Sequence, residues 1–146
     1  TDRVAYKSDI TLNITYRINS VLVNPSFGFG VHTIDFLYLA TEISEEKFLG
    51  QRLQPGIYNV TFHILQFPFL PGVYSVRLGV NAGEITRPLF YQESALNFQV
   101  EALDTHRTQA MQEGWVAIDG EWDLNTIDVE ESGHSTITSG LAEAQF

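Results

Sequence analysis

The sequence has no cysteine, which excludes disulfide bonds and a cysteine nucleophile. The absence also favours a reducing compartment, because strand-rich secreted domains often carry a disulfide. No apolar run approaches the roughly 20 residues that a membrane-spanning helix needs. The chain opens without a charged-then-apolar signal segment, and it begins at Thr1 rather than Met, so we expect it to be an excised part of a longer protein.

Basic residues are scarce, since 8 Lys and Arg stand against 18 Asp and Glu for a net charge of −10. The imbalance is concentrated in residues 101–146, where Arg107 is the single basic residue among ten acidic ones. The chain therefore offers no basic stripe, and we expect neither nucleic acid nor an anionic membrane surface as a direct partner. We interpret the acidic segment as solvated.

Motifs that carry catalysis or bind metals are also missing. Gly28 and Gly30 are followed by neither a third glycine nor a Lys-Ser/Thr pair, so they do not form a phosphate loop. The four histidines lack the spacing of a zinc motif, and the acids between Asp119 and Asp123 do not fit an EF-hand. The sequence thus predicts no catalytic residue, no metal and no cofactor. A glycosidase pair among the 18 carboxylates stays open as an enzyme alternative.

What the sequence does have is alternation of apolar and polar residues, the pattern of strands with one buried face. The clearest pair of strands covers 58–64 and 74–80, and it flanks the segment from Pro68 to Gly72. The two prolines of that segment cannot donate to a ladder, so the sheet must break there. Tyr74 follows the break, as in corners that carry a chain from one sheet of a sandwich to the other.

Six or seven short strands are predicted in all, with no convincing amphipathic helix. Besides the pair above they cover 9–18, 27–39 with a bend at Asp35-Phe36, 95–100 and 114–124. Residues 41–54 are expected to form a loop or one helical turn, and 101–114 a loop with a short helix. The predicted fold is all-β, an antiparallel β-sandwich of immunoglobulin-like or jelly-roll type. We expect one domain over 1–124 and an acidic tail or exchanged strand over 125–146, with a short strand at 135–138.

A polar sheet face is the candidate binding surface. If the corner switches sheets, the strands at 27–34, 74–81 and 96–100 share one sheet, and their polar residues face outward. Guanidinium, amide and imidazole groups there suit sugar hydroxyls or a carboxylate. The predicted ligand-binding residues are His32, Arg77, Asn81, Asn97 and Gln99. Arg77 is the strongest candidate, because an arginine in the middle of a sheet needs a reason. The other sheet carries the weaker candidates Asn13, Thr15, Arg17 and His63. The glycines of the 27–34 strand allow another group to approach closely.

The order of these motifs resembles one family. The segments are SDITLNITY at 8–16, NPSFGFGV at 24–31, an alternating run at 56–64 and LPGVYSVRLGV at 70–80, followed by Phe98-x-Val100 and Gly114-x-Val116 to Trp122. Together they are similar to the C-terminal domain of the ATPase subunit of O-antigen polysaccharide ABC transporters, the Wzt type. The resemblance covers residues 8–124.

The resemblance implies a non-catalytic module that recognises the non-reducing end of a lipid-linked O-polysaccharide, bearing a terminal modification, and thereby licenses its export. It implies a cytoplasmic location at the inner face of the bacterial inner membrane, a homodimer that sometimes exchanges a C-terminal strand, and contact with the transporter's membrane subunit through an upstream ATPase half. The family's pocket residues do not carry over, so the site residues rest on strand geometry. The alternative is a structural or adhesive extracytoplasmic sandwich.

Overall fold

A computed structural model describes residues 2–83, 88–102 and 114–124. These residues form strands and one short 3₁₀ helix, and no helix among them is long and apolar enough to cross a membrane. The elements are β1 Asp2–Ala5, β2 Ile10–Ile18, β3 Leu22–Val23, β4 Pro25–Thr33, β5 Tyr38–Ile43, the 3₁₀ helix Glu45–Phe48, β6 Arg52–Leu53, β7 Gly56–Ile64, β8 Gly72–Ala82 and β9 Phe90–Glu101.

The strands form a β-sandwich, which confirms the predicted fold class. One sheet has five strands in the order β1-β9-β8-β4-β5, and the other consists of β2 and β7, with a small β3-β6 ribbon beside them. Alternation places one face of each strand between the sheets. There Val31, Tyr74 and Phe98 of the large sheet pack against Ile10 and Ile64 of the small one. A second apolar cluster surrounds Tyr16 and Phe27 at the other end.

The predicted sharing of one sheet by three strands is confirmed. β8 is the central strand and pairs antiparallel with β4 on one side and β9 on the other. Gly30 lies opposite Arg77, and Ser26 lies opposite Asn81. Because the side-chain period of a strand is two, the buried Val76, Leu78 and Val80 place Arg77 and Asn81 on the opposite, outer face.

The corner between β7 and β8 is held by Tyr74. Its side chain is fully buried, and its hydroxyl donates a 2.5 Å hydrogen bond to the backbone carbonyl of Leu70. The ring contacts Phe69 and Phe98, with centroid distances of 5.2 and 5.6 Å. Phe69 also forms an isolated bridge to Val116, which fastens the segment after residue 114 to the corner. The tyrosine therefore joins the corner to the core, as the sequence predicted.

The predicted last strand at 114–124 is wrong. Val116 forms only the isolated bridge, and residues 117–124 have no regular structure. Alternation is present in that segment, but a strand needs a partner, and Ile118, Trp122 and Leu124 are 94 to 100 % exposed. Alternating residues indicate a strand only where a second strand is available for the ladder.

Other differences concern the ends of strands. β9 begins at Phe90, five residues before the predicted start, and β5 extends to Ile43 into the predicted loop. The helical turn expected in that loop is present as the 3₁₀ helix. β1 was not predicted, and it pairs parallel with β9. The expectations for most of 101–114 and for the tail at 125–146 lie outside the described residues.

Candidate functional site

The outer face of the large sheet has a floor without side chains. Gly28 and Gly30 on β4 and Gly79 on β8 all lie on this face, at neighbouring positions of the ladder. The side chain of Arg77 extends across this floor, and a methyl group at Gly30 would overlap its guanidinium. The close approach that the glycine pattern predicted is therefore made by Arg77 itself.

Arg77 is held by neutral groups. Its Nη2 donates to Thr41 Oγ1 at 2.5 Å and lies 3.4 Å from the carbonyl oxygen of Ala40. The ring of Tyr38 covers the guanidinium, with 4.1 Å between Cζ and the ring centroid. The second terminal nitrogen, Nη1, is buried without a hydrogen-bond partner in the part of the chain that the structure describes. The arginine thus keeps one unsatisfied donor beneath an aromatic ring.

Tyr38 is fixed by Glu93 on the far side of Arg77. Its hydroxyl donates a hydrogen bond to the Glu93 carboxylate, and that bond is the main reason why the pKa of Tyr38 is raised well above its usual range. Glu93 reaches this position because the ladder between β8 and β9 is irregular beside Arg77. Val76 pairs with Leu96, whereas Leu78 pairs with Gln92. Such an irregularity re-aims side chains, and here it brings a carboxylate toward the arginine.

His32 does not lie on the accessible face, so its predicted position is wrong. It is fully buried, and its ring stacks on Phe36 at a centroid distance of 5.2 Å. Nδ1 lies 2.7 Å from the carbonyl oxygen of Thr33, and Nε2 lies 2.8 Å from that of Glu93. The turn after β4 covers the imidazole, which the strand pattern did not reveal. In this structure His32 ties β4 to the irregular part of β9.

Asn81 and Arg77 are brought together along one depression of about 190 Å³. We call it the Arg77 trough; Gly28, Gly30 and Gly79 form its floor, and Thr41, Asn81 and Tyr91 contribute to its sides. The Asn81 side-chain oxygen is buried, and no donor reaches it among the residues that the structure describes. Two residues that line the trough thus carry buried polar atoms without a partner in the described part of the chain, a donor on Arg77 and an acceptor on Asn81.

Asn97 and Gln99 lie outside the Arg77 trough. Asn97 pairs with Ser75 and is exposed, while Gln99 pairs with Val73 and, on its other side, with Arg3 of β1. They share the large sheet with Arg77 but lie nearer the β1 edge. Of the five predicted ligand contacts, the structure thus groups two in one depression.

The candidates of the small sheet lie on β2 and β7, as expected. Thr61 donates to Asn13 at 2.9 Å, and the side chains of Thr11 and His63 are 3.1 Å apart. These cross-strand pairs satisfy one another. Arg17 and Thr15 are exposed and line a broad cleft of about 600 Å³ between β2 and the start of β9. They offer a polar strand edge rather than a convergent site.

Neither the gap between the sheets nor the acidic side chains of the described residues form a better site. A gap of about 310 Å³ opens between the sheets near Phe27, Phe48 and Phe62, and its walls are mainly apolar. It lacks the convergent polar groups that orient a polar ligand. For metals, the described ranges contain no group of three His, Cys, Asp or Glu side chains close enough to hold an ion.

Sequence reasoning missed Tyr38, Thr41 and Glu93. Tyr38 and Thr41 reach Arg77 because β5 turns back beside β4, and Glu93 does so through the irregular register of β9. The return of β5 beside β4 was indicated by the sequence, since the bend at Asp35-Phe36 was predicted. The position of Glu93 was not indicated, because an irregular register in β9 cannot be recognised from the alternation of apolar residues.

Comparison with known proteins identifies the family. The profile described as Wzt C-terminal domain matches residues 1–117. Among solved structures, the chain is similar to the one titled "Crystal structure of the C-terminal domain of wzt", with a TM-score of 0.68 and 15 % identity, covering 84 % of this chain and 73 % of that chain. At that identity the likeness shows the fold. No curated protein matches the chain.

The resemblance noted from the sequence is thereby confirmed. The profile covers most of the chain and includes β1 to β9, hence the whole sheet that carries Arg77. A Wzt C-terminal domain is non-catalytic, and the ATPase activity resides in a separate N-terminal domain. The chain therefore belongs to the Wzt C-terminal domain family, a group of non-catalytic β-sandwich domains from the ABC transporter systems of O-antigen.

Proposed function

We propose that this domain binds the terminally modified non-reducing end of a lipid-linked O-antigen polysaccharide in the Arg77 trough, and that binding licenses export of the chain. The observation that carries the proposal is the pairing, in one depression, of a buried donor at Arg77 with a buried acceptor at Asn81, neither of which has a partner in the described part of the chain. Such groups cost free energy when unpaired, about 1–3 kcal/mol each, and a ligand that satisfies them recovers it.

The size of the trough favours an end of a polymer. About 190 Å³ is less than the roughly 300–1,000 Å³ of sites that enclose a drug-sized ligand. The trough is open to solvent on the sheet surface, so the rest of a long chain has room to continue outward. Tyr91 is 50 % exposed at its side and offers an aromatic surface for the apolar edge of a sugar ring.

The same reasoning predicts modest affinity. Sugar hydroxyls exchange hydrogen bonds with water for hydrogen bonds with protein, so the net gain for each is small. Asn97 and Gln99 extend the polar surface toward β1, and we propose them as contacts for sugar residues behind the end. His32 supports the site by holding β9 in position and does not contact the ligand.

Membership of the family supports a cellular location and partners for the domain. We propose that the module comprises residues 1–124 and works at the cytoplasmic face of the inner membrane. It communicates with the transporter's membrane subunit through the ATPase half. We also propose a homodimer, because Ile118, Trp122 and Leu124 are large apolar side chains that are 94 to 100 % exposed in the single chain. A strand exchanged with a second copy would cover them.

A titration of the domain with O-polysaccharide from its source strain tests the proposal. The native polymer is compared with the same polymer trimmed at its non-reducing end, by isothermal titration calorimetry. Saturable binding of the native polymer alone is expected. Equal binding of both would mean recognition along the repeat unit, and absence of binding by the folded domain would favour the structural or adhesive alternative.

Matched variants locate the site. Arg77→Gln is expected to reduce affinity at least about tenfold, which corresponds to 1.4 kcal/mol and to the loss of one good charge-assisted hydrogen bond. Arg52→Gln is the control, because it removes the same charge from an exposed position on β6, outside every candidate surface. Equal effects of the two changes would contradict the assignment of the trough.

A further inference from the structure

The charge of Arg77 is not balanced by an anion in the described part of the chain. The two ion pairs found there join Arg3 to Glu101 and Lys7 to Asp119, and neither includes Arg77. Its partners are a hydroxyl, a carbonyl oxygen and an aromatic ring. A half-buried guanidinium with neutral partners gains more from an anion than from a further neutral acceptor, because the anion adds an attraction between opposite charges and accepts two parallel hydrogen bonds.

A carboxylate beside the Tyr38 ring is already engaged. The Glu93 carboxylate accepts the Tyr38 hydroxyl, and the Tyr38 ring lies over the guanidinium. Nη1 has almost no exposure under this ring, so an incoming group reaches it when the Tyr38 side chain moves aside. Tyr38 is 53 % exposed and belongs to β5, an edge strand of the large sheet, so its ring has room to move.

We propose that the sugar recognised in the Arg77 trough bears an acidic group, a carboxylate or a phosphate, which binds the Arg77 guanidinium in place of the Tyr38 ring. This inference rests on the proposed function and names the class of sugar. Planar guanidinium matches both anions through two parallel hydrogen bonds. Asn81 lies four residues farther along β8, about 13 Å by strand rise. Its side-chain oxygen, which has no donor among the described residues, accepts a hydroxyl farther along the same ligand.

The net charge of −10 does not oppose such a site at short range. Charges more than about 8 Å apart are largely screened at physiological ionic strength, whereas a contact inside the trough is screened much less. Glu93 binds the hydroxyl of the ring that covers Arg77, and an acidic ligand must break this hydrogen bond to displace the ring. Loss of that carboxylate should therefore favour the anion.

The test uses simple sugars and does not depend on the polysaccharide. Glucose, glucuronic acid and glucose 6-phosphate, with inorganic phosphate as a fourth probe, are titrated while NMR signals are followed. The backbone amides of the trough residues report binding in every variant, and the Arg77 side-chain Nε–H reports it wherever the arginine is present. At least one acidic sugar is expected to bind about tenfold more tightly than glucose, and the two acids distinguish carboxylate from phosphate. Inorganic phosphate is expected to bind more weakly than the matching sugar, because it cannot engage the sides of the trough.

Two substitutions make the result specific. Arg77→Gln should abolish the preference for the acidic sugar, and Glu93→Gln should raise the affinity for it about threefold or more without changing that for glucose. Arg52→Gln serves as the charge control. Equal binding of glucose and both acids, absence of any shift with the acids, or a preference that survives Arg77→Gln would overturn the inference. Because these outcomes concern monosaccharides, they are separate from failure of the native polysaccharide to bind, which would overturn the proposed function.

Discussion

Arg77 lies across Gly30, its partner on the neighbouring strand, so closely that a single methyl group at Gly30 would overlap the guanidinium. The glycine thus determines the position of the arginine. An arginine standing upright from the sheet would present its charge to solvent. The flat arrangement instead brings it under Tyr38 and against Thr41.

We expect Gly30→Ala to displace Arg77 without preventing folding, because the overlapping atoms are at the end of a flexible side chain. The lost contacts with Tyr38 and Thr41 should offset the usual gain of about 0.5–1 kcal/mol from replacing a strand glycine by alanine. Gly28→Ala is the control, since its new methyl group would lie 3.5 Å from its nearest neighbours. In urea unfolding, the free energy of unfolding of Gly28→Ala should exceed that of Gly30→Ala by about 0.5–1 kcal/mol, and equal stabilities would contradict the arrangement.

Tyr74→Phe tests the corner. The change removes the hydroxyl that donates to the Leu70 carbonyl inside the core and leaves the ring in place. The free energy of unfolding should fall by about 1–3 kcal/mol, as expected when a buried hydrogen bond loses one partner. Tyr58→Phe is the matched control, because its hydroxyl donates to the Gln54 carbonyl at the surface. A loss of the same size in both variants would show that burial of the corner contributes nothing.

The same tyrosine gives a pH dependence. Burial raises the pKa of Tyr74 from 10.0 to about 12, so the folded state holds this proton more tightly than the unfolded state. Its contribution to stability is complete below pH 10 and decreases as the pH rises from about 10 to about 12. The free energy of unfolding should therefore decline over that interval, and less steeply in Tyr74→Phe. An unchanged slope in the variant would assign the decline to other groups.

His32→Phe separates a structural histidine from a ligand contact. The substitution keeps the stack on Phe36 but removes the contacts with the Thr33 and Glu93 carbonyl oxygens. Stability should fall by about 1–3 kcal/mol, since buried carbonyl groups are left unpaired. His63→Phe is the control at an exposed position of the small sheet and should change stability by less than about 0.5 kcal/mol. Comparable losses would indicate that the buried contacts are not stabilising.

The proposed homodimer is tested at the segment after the Val116 bridge. Trp122→Ser should leave the unfolding midpoint of the monomer unchanged, because the side chain is fully exposed in the single chain. It should shift a dimer toward the monomer in sedimentation velocity. Leu65→Ser, at a site that is 78 % exposed outside this segment, is the control. A dimer that persists in Trp122→Ser, or dissociates equally in Leu65→Ser, would exclude this segment from the interface.

The sequence predicted the sandwich because alternation and the Pro-Gly corner are local properties. β2, β7 and β8 were placed by their own residues, and the sharing of one sheet by β4, β8 and β9 followed from the corner. Whether a segment pairs in a ladder depends on a second strand that is distant in sequence. The segment at 117–124 alternates yet lacks a partner strand, and β1 was missed because its four residues carry little pattern.

The site was predictable to the same extent. Arg77 and Asn81 were placed correctly on the outer face, because they alternate along β8 with the inward-facing Val76 and Leu78. His32 also points to the outer face by alternation along β4, but the turn after β4 covers it. Alternation along a strand does not reveal what packs over that face of the sheet. Glu93 was missed because its position depends on the irregular register of β9.

The unequal size of the two sheets has a consequence for hydrogen exchange. In the described part of the chain β2 and β7 pair only with each other, so each keeps one edge whose outward amides lack a ladder partner. β8 has a paired strand on both sides. We therefore expect β2 and β7 to exchange their amide protons first and β8 last. Transient openings of the smaller sheet would then leave Arg77, Gly30 and Asn81 in register, so the binding face stays assembled on the most protected strand of the domain.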